Sequence, residues 1–151
     1  MLPGGKHVLM TDTVGFISKL PKELINAFRA TLEEIGEADL LLHIADASDP
    51  EVREKIDSVM KIVESMEFEY IPSILVFNKL DQADAETEAA LRGAFPQVPL
   101  VSAKKGKNFR ELLLHIEKVV EKIEADAKAG VFNPEEKPED TVSLPLLHSS
   151  F

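Results

Sequence analysis

Three short polar segments carry residue types that could bind a ligand, and each directly follows an apolar run of strand length. An ionised carboxylate accepts neighbouring N–H donors, an amide both donates and accepts, and backbone N–H groups donate to carbonyl or phosphate oxygens. Each segment alone is also consistent with a polar turn. Together, in this order and each behind a strand, they favour a binding site. The segments are 12–15 (Asp12, Thr13, Val14, Gly15), 78–81 (Asn78, Lys79, Leu80, Asp81) and 102–104 (Ser102, Ala103, Lys104).

The second segment matches the hydrogen-bonding edge of guanine. Guanine presents adjacent donors at N1–H and the exocyclic N2–H2, and the carboxylate of Asp81 can accept both. Adenine has an acceptor at N1 and no amine beside it, so the same carboxylate would stay unpaired. Asn78 can donate to the base N7 or tie the loops together, and Lys79 can lay its methylene stem along the ring. Backbone N–H groups of residues 102–104 can donate to guanine O6.

The first segment matches the phosphate end of the same kind of ligand. The carboxylate of Asp12 can reach a Mg²⁺ ion through water, and Gly15 has no side chain to keep its N–H away from a γ-phosphate. Loss of that phosphate would release the segment. The sequence therefore predicts a nucleotide-dependent switch here.

The elements that would position these segments are predicted from hydrophobic periodicity. Apolar runs of strand length alternate with stretches of helical period, which predicts α/β units and a mostly parallel sheet. The carboxyl ends of parallel strands meet at one rim, so the three segments are expected to lie together. Ser48 or Asp49 is the expected cap of the second helix, and Asn108 with Glu111 resembles a capping box. The predicted strands are 7–11, 39–46, 71–77 and 98–103, and the predicted helices are about 21–35, 50–66, 85–95 and 109–129.

Composition excludes several other classes of protein. The 151 residues contain no cysteine, which excludes disulfides, thiol catalysis and cysteine-ligated zinc. The four histidines show no metal-ligand spacing, so structural roles are expected for His43 and His115. No apolar run approaches the ~20 residues that span a bilayer, so no membrane contact is expected. The net charge of −10 disfavours free-standing nucleic-acid binding, and no direct DNA partner is expected.

Residues 11–50, "TDTVGFISKLPKELINAFRATLEEIGEADLLLHIADASDP", resemble the HflX family of translational GTPases, and the resemblance runs from about Leu2 to Ala129. It implies a three-layer sandwich of the P-loop-GTPase type that binds GTP or GDP and acts on the large ribosomal subunit, splitting or rescuing stalled ribosomes. The resemblance assigns 12–15 to switch II, 78–81 to the base-specificity motif and 102–104 to the last guanine loop. Phe16 stands where many GTPases carry a water-orienting glutamine. Cytoplasm is the default compartment, with an organelle matrix or stroma as the alternative.

Part of the motif set that the resemblance implies is missing. No GxxxxGK[ST] occurs in the 151 residues, so the phosphate cradle and its lysine have no counterpart. Residues 1–129 are therefore interpreted as a partial G domain, truncated at the N-terminus so that the first strands and the phosphate loop are absent. A poorly ordered tail follows over 130–151. We expect no hydrolysis by this chain alone, and Mg²⁺ binding only when the missing part is supplied. The loss predicts a slot between strands 7–11 and 39–46.

Two other interpretations remain open from the sequence. One is a non-catalytic module that binds a ribosome or a protein through its sheet and helices, with the three segments as relics. The other is a flavodoxin-like or receiver domain, which needs an acidic pocket at the first strand end. Asp46 and Asp49 are the nearest candidates for such a pocket, but helix capping explains Asp49 better.

Overall fold

The computed structural model describes residues 1–12 and 34–130. Thr13, Val14, Gly15, Phe16, the helix predicted from about residue 21 and the tail over 131–151 lie outside the described residues, apart from a short 3-10 helix at Glu34–Glu37. The helices and strands then alternate along the chain. They are β1 (Leu41–Asp46), α1 (Val52–Ser65), β2 (Ser73–Asn78), α2 (Ala85–Ala94) and α3 (Phe109–Lys128).

The sheet is parallel, as the alternation predicted. β1 pairs with β2 in a register that runs from Leu41↔Ser73 to Asp46↔Asn78. A third segment adds one parallel bridge, Phe77↔Leu100, on the other side of β2. The carboxyl ends of the paired strands, and the chain that follows Leu100, therefore meet at one rim.

The third segment is shorter than the predicted strand 98–103 because of a proline. The N–H of Phe77 donates to Pro99 O at 2.9 Å, and the N–H of Val101 donates to Phe77 O at 2.7 Å. In a parallel strand the N–H of residue 99 would face β2 as well, but proline has none. The ladder therefore ends after one bridge.

The strand predicted over residues 7–11 is wrong. These residues form no strand, and Leu9 and Met10 are 96% and 69% exposed. A strand needs a hydrogen-bonded neighbour, and no described segment pairs with this one. Nor does any described segment pair with the second edge of β1, where Ile44 is 50% exposed. In place of the four-stranded sheet that we expected, the sheet of the described residues has two strands, and one parallel bridge joins a third segment to β2.

Two apolar clusters cover the two faces of the sheet, which gives the predicted three-layer arrangement. Phe77 on one face packs with residues of α1 and α2, and its ring meets that of Phe95 edge-on at 5.2 Å between centroids. Ile74 and Val76 on the other face pack with residues of α3. Burial on both faces explains why the β strands are almost continuously apolar. The first cluster is Ala45, Ala47, Val52, Ile56, Phe77, Leu80, Leu91 and Leu100, and the second is Leu2, Ile74, Val76, Val101, Leu112 and Ile116.

A turn near the N-terminus is held against α3. The N–H of Leu2 donates to Lys6 O at 2.8 Å, and Gly5 closes the turn with a φ of 89° that favours glycine. Gly4 N–H donates to the carboxylate of Glu117 at 2.7 Å. Glu117 is only 9% exposed, and Leu2 beside it is buried in the second cluster. The sequence did not predict Glu117 as the residue that anchors this turn.

The helix starts differ from two of the predicted caps. No side chain caps α1, because Asp49 Oδ1 accepts the N–H of Glu51 at 2.9 Å, one residue ahead of the helix. Asn108 precedes α3 in a left-handed conformation, but its side chain donates to Leu100 O at 2.7 Å and caps nothing. The expected capping box is therefore absent, and Asn108 fixes the loop between the third segment and α3. No helix within 1–12 or 34–130 is long and apolar enough to cross a bilayer.

Candidate functional site

The end of β2 turns sharply at the rim of the sheet. Asn78 is its last residue, and Lys79 follows in the left-handed region with a φ of 63°, which is unusual for a residue with a side chain. This turn returns Leu80 to the core, where it is 4% exposed and its N–H donates to Val101 O at 3.0 Å. Asp81 is exposed again. The strand therefore ends with its polar side chains on the rim and its leucine as an anchor.

The Asn78 side chain ties two of the predicted segments together. Its Oδ1 accepts the N–H of Ala103 at 2.9 Å. Of the two roles that the sequence left open for Asn78, the structure shows the tie between loops. The amide nitrogen of Asn78 makes no hydrogen bond with a described residue and remains available as a donor to a ring nitrogen.

The carboxylate of Asp81 is held by a buried hydroxyl. Ser102 is 0% exposed, and its Oγ donates to Asp81 Oδ1 at 2.5 Å while accepting the N–H of Lys105 at 3.1 Å. The hydrogen bond from Ser102 lowers the pKa of Asp81, and the charges of Lys104 and Lys105 act in the same direction. Asp81 is therefore ionised at neutral pH, and its Oδ2 accepts no hydrogen bond from another described residue. This carboxylate can accept two adjacent donors of a ring.

The backbone donors of 102–104 are mostly used within the protein. Ser102 N–H donates to Lys107 O at 3.2 Å, and Ala103 N–H is bound by Asn78. The N–H of Lys104 has no partner in the described part of the chain. From the sequence, any backbone N–H of residues 102–104 could donate to a ring carbonyl. In the structure, only the N–H of Lys104 among these three is not already used by a described residue.

An ion pair that the sequence did not predict also lies at the rim. Lys79 Nζ contacts Asp46 Oδ2 at 2.6 Å, and Asp46 Oδ1 accepts the N–H and the hydroxyl of Ser48 at 2.9 and 2.7 Å. Burial alone would raise the pKa of Asp46, but the hydrogen bonds from Lys79 and Ser48 outweigh it and lower that pKa. The same contact raises the pKa of Lys79. The signal available in the sequence was that both strands end on a polar residue, Asp46 and Asn78, and the structure shows that these two residues are paired in the register.

The remaining candidate, Asp12, is not joined to this rim by any contact in the structure. It is exposed, and it makes no hydrogen bond or ion pair with another described residue. No group of three or more acidic or histidine side chains that could hold a metal ion occurs within 1–12 and 34–130. Asp12 alone does not make a metal site, because Mg²⁺ is usually held by one or two carboxylates together with substrate phosphates. Thr13, Val14 and Gly15 lie outside the described residues.

Residues 1–79 match a family described as 50S ribosome-binding GTPase. The GTPase HflX of Alkalihalophilus pseudofirmus is 52% identical over 54% of this chain and 19% of its own length. The GTPase HflX of Caldanaerobacter subterraneus is 41% identical over 78% of the chain and 26% of its own length. A chloroplastic GTP-binding protein of Arabidopsis thaliana is 44% identical over 58% of the chain and 14% of its own length.

The chain thus spans about a fifth to a quarter of the length of the bacterial relatives it matches. The family match covers β1, α1 and β2 up to Lys79, and the second relative extends the likeness to most of the chain. The three-layer α/β arrangement with a parallel sheet agrees with a P-loop GTPase fold. On this likeness the chain belongs to the HflX family of GTPases.

Proposed function

We propose that the rim formed by residues 78–81 and 102–104 is the guanine-recognising half of a GTP-binding site of the HflX type. One observation carries the proposal: the exposed, ionised carboxylate of Asp81 is fixed by the buried hydroxyl of Ser102 at 2.5 Å. A carboxylate held in this way pairs with N1–H and N2–H2 of guanine and rejects adenine. The amide nitrogen of Asn78 and the N–H of Lys104 would serve N7 and O6.

The proposal assigns no phosphate contact to the described rim. The 151 residues contain no GxxxxGK[ST], the segment whose backbone amides and lysine hold the triphosphate in such sites. GTP or GDP is the proposed ligand through its base, and residues 1–129 are proposed as part of a G domain. Mg²⁺ would act on the phosphates through residues such as Asp12. The described residues do not by themselves form that metal site.

Association with the large ribosomal subunit is part of the proposal. It is supported by the family description, which names the 50S subunit, and by relatives that are named GTPase HflX. The cytoplasm is the compartment we propose. The Arabidopsis relative, named chloroplastic, supports an organelle stroma as the alternative.

The test is an NMR titration of the 151-residue chain with nucleoside diphosphates at millimolar concentration. GDP should shift the backbone signals of Asp81 and Lys104, and ADP should not. Asp81→Asn should weaken GDP binding and favour xanthosine diphosphate by about tenfold, because the amide can donate to the ring oxygen that replaces the guanine amine. The matched control is Asp84→Asn, which removes a charge at the start of α2 but keeps an oxygen for the N–H of Thr87. Equal shifts with GDP and ADP would disprove the guanine site.

A further inference from the structure

Positive charge is concentrated in one short segment of an acidic chain. Residues 104–110, which we call the basic loop, contain Lys104, Lys105, Lys107 and Arg110 and no acidic residue. The whole chain has 17 Lys and Arg against 27 Asp and Glu. All four side chains are exposed. The charge of this loop is therefore opposite in sign to that of the molecule that carries it.

Most of this charge is not neutralised within the described part of the chain. Lys107 approaches Glu88 at 3.9 Å, the long limit of an ion pair. Lys104, Lys105 and Arg110 form no salt bridge or side-chain hydrogen bond with a described residue. Three other cations, Lys55, Lys79 and Arg92, each lie close to a carboxylate. Lys104 and Lys105 also lie near enough to Asp81 to lower its pKa, but they form no direct ion pair with it. Most of the positive charge of the basic loop is therefore available to a partner.

The backbone of the basic loop is fixed at both ends. Ser102 and Lys107 pair as an antiparallel bridge, and Gly106 has the positive φ of 65° that such a tight loop requires. The N–H of Lys105 donates to the buried Ser102 hydroxyl at 3.1 Å. Asn108 then anchors the chain to Leu100 O at 2.7 Å. The basic side chains therefore extend from a preorganised backbone. This lowers the entropic cost of binding a charged partner.

An aromatic ring lies within the same segment. Phe109, the first residue of α3, remains 39% exposed beside Arg110 in the sequence. An acidic protein surface would use the cations alone. RNA offers phosphates to the cations and unstacked bases to an exposed ring.

We propose that the basic loop contacts the phosphate backbone of RNA, with Phe109 available to an unpaired base. The inference rests on the proposed association with the large ribosomal subunit, and it adds which surface of this chain makes the contact. The net charge of −10 repels a polyanion from the rest of the molecule, so the contact is confined to this loop. Because the loop continues directly from Ser102, RNA would bind beside the carboxylate of Asp81.

The test is fluorescence anisotropy of a labelled RNA stem-loop titrated with the 151-residue chain over a range of salt concentrations. Lys105→Gln combined with Arg110→Gln should lower the affinity about tenfold at low salt. The slope of log affinity against log salt should fall by about 2, since two phosphate contacts are lost. The matched control is Lys118→Gln with Lys122→Gln, which makes the same charge change on exposed positions of α3. The control should bind RNA like the unmodified chain.

Three outcomes would overturn the inference. The unmodified chain could fail to bind the stem-loop, the two double variants could lose affinity equally, or polyglutamate could bind as tightly as the RNA. Thermal unfolding of both double variants verifies that each is folded. The result is separable from that of the guanine site, because the nucleotide titration contains no RNA. If the chain binds GDP but not RNA, the RNA-binding role of the basic loop is disproved and the guanine site is unaffected.

Discussion

At the scale of single residues, the pair of Asp46 and Lys79 links the ends of both β strands. Asp46 is the last residue of β1, and Lys79 follows β2 in a left-handed conformation. Their contact at 2.6 Å draws the ammonium group of Lys79 toward β1. The methylene stem of Lys79 is thereby fixed at the rim, next to the residues proposed to bind guanine.

We predict that this pair contributes a small, pH-dependent part of the stability. The pKa of Asp46 is lowered in the folded state, so its contribution is present above its ordinary value of 3.8 and is lost as the pH falls further. The pKa of Lys79 is raised, so its contribution is present below its ordinary value of 10.5 and is lost as the pH rises through the raised value. Asp46→Asn should therefore destabilise the chain slightly at neutral pH and not at all in strong acid.

Urea unfolding across this pH range measures the effect. Lys79→Gln and the double variant complete a cycle that isolates the coupling between the two side chains. Asn at position 46 can still accept from Ser48, so the cycle reports mainly the charge. A destabilisation by Asp46→Asn that persisted unchanged in acid would contradict the assigned ion pair.

Some contacts of the candidate site could be predicted from the sequence, and others could not. Asn78, Asp81 and Ser102 were predicted to lie together, because each follows an apolar run and parallel strands end at one rim. The contact between Asp46 and Lys79 was not predicted, because it depends on the register of β1 against β2. Both faces of these strands are covered, so their sequences lack the alternation of apolar and polar residues that would fix a register.

At the scale of elements, the N-terminal turn and α3 form a unit. The carboxylate of Glu117 accepts the N–H of Gly4 across 113 positions of sequence. Two helical turns further along the same face of α3, Glu124 contacts Lys6 at 2.8 Å. Periodicity placed position 117 on a helix, but nothing in the pattern distinguished it from the solvated glutamates around it. Buried polar groups of this kind become visible only in three dimensions.

We predict that this unit is sensitive to one methyl group. In Gly4→Ala the new Cβ would lie 2.6 Å from Glu117 Oε1, closer than atoms pack, so the turn or the side chain must move. The free energy of unfolding should fall by about 1 kcal/mol, because a Glu117 carboxylate that moves away no longer accepts the N–H of residue 4. Glu117→Ala vacates that space. The variant that carries both Gly4→Ala and Glu117→Ala should therefore lose less stability than the two single losses added together.

The matched glycine is Gly93 in α2, where a Cβ would meet nothing within 4 Å. Gly93→Ala should raise the free energy of unfolding by about 0.5–1 kcal/mol, since alanine loses less backbone entropy in a helix. Chemical denaturation of all four variants provides the comparison. Additive effects of Gly4→Ala and Glu117→Ala would show that the two positions do not interact.

At the scale of the whole molecule, the alternation of strands and helices predicted the layers correctly but overestimated the sheet. The two apolar clusters lie where helices were expected on both faces. The sheet is narrower for two local reasons, the missing N–H of Pro99 and the lack of any described neighbour for residues 7–11. Composition and period predict which segments are apolar, whereas a strand also needs a partner with free donors and acceptors.

We predict that the 151-residue chain binds GTP at millimolar strength or not at all and does not hydrolyse it. A few hydrogen bonds to the base contribute ~1–3 kcal/mol each. Association costs an estimated ~4–15 kcal/mol, and most affinity in such sites comes from the triphosphate and its metal. Isothermal titration calorimetry measures the binding, and phosphate release measures hydrolysis. Micromolar affinity would show that a phosphate site exists in these residues in another form.

The edge of β1 that faces away from β2 pairs with no described segment, and this has a consequence for the exchange of its amide hydrogens with solvent. Leu41 N–H donates to Pro72 O, and Ala47 N–H donates to Asn78 O, so the N–H groups at odd positions between them face β2. Those of Leu42 and Ile44 face the edge that no described segment pairs with. Deuterium uptake along this one strand should therefore alternate, slow at His43 and Ala45 and fast at Leu42 and Ile44. A strand that docked on that edge from any source would remove the alternation, so Leu42 and Ile44 act as built-in reporters of its occupancy.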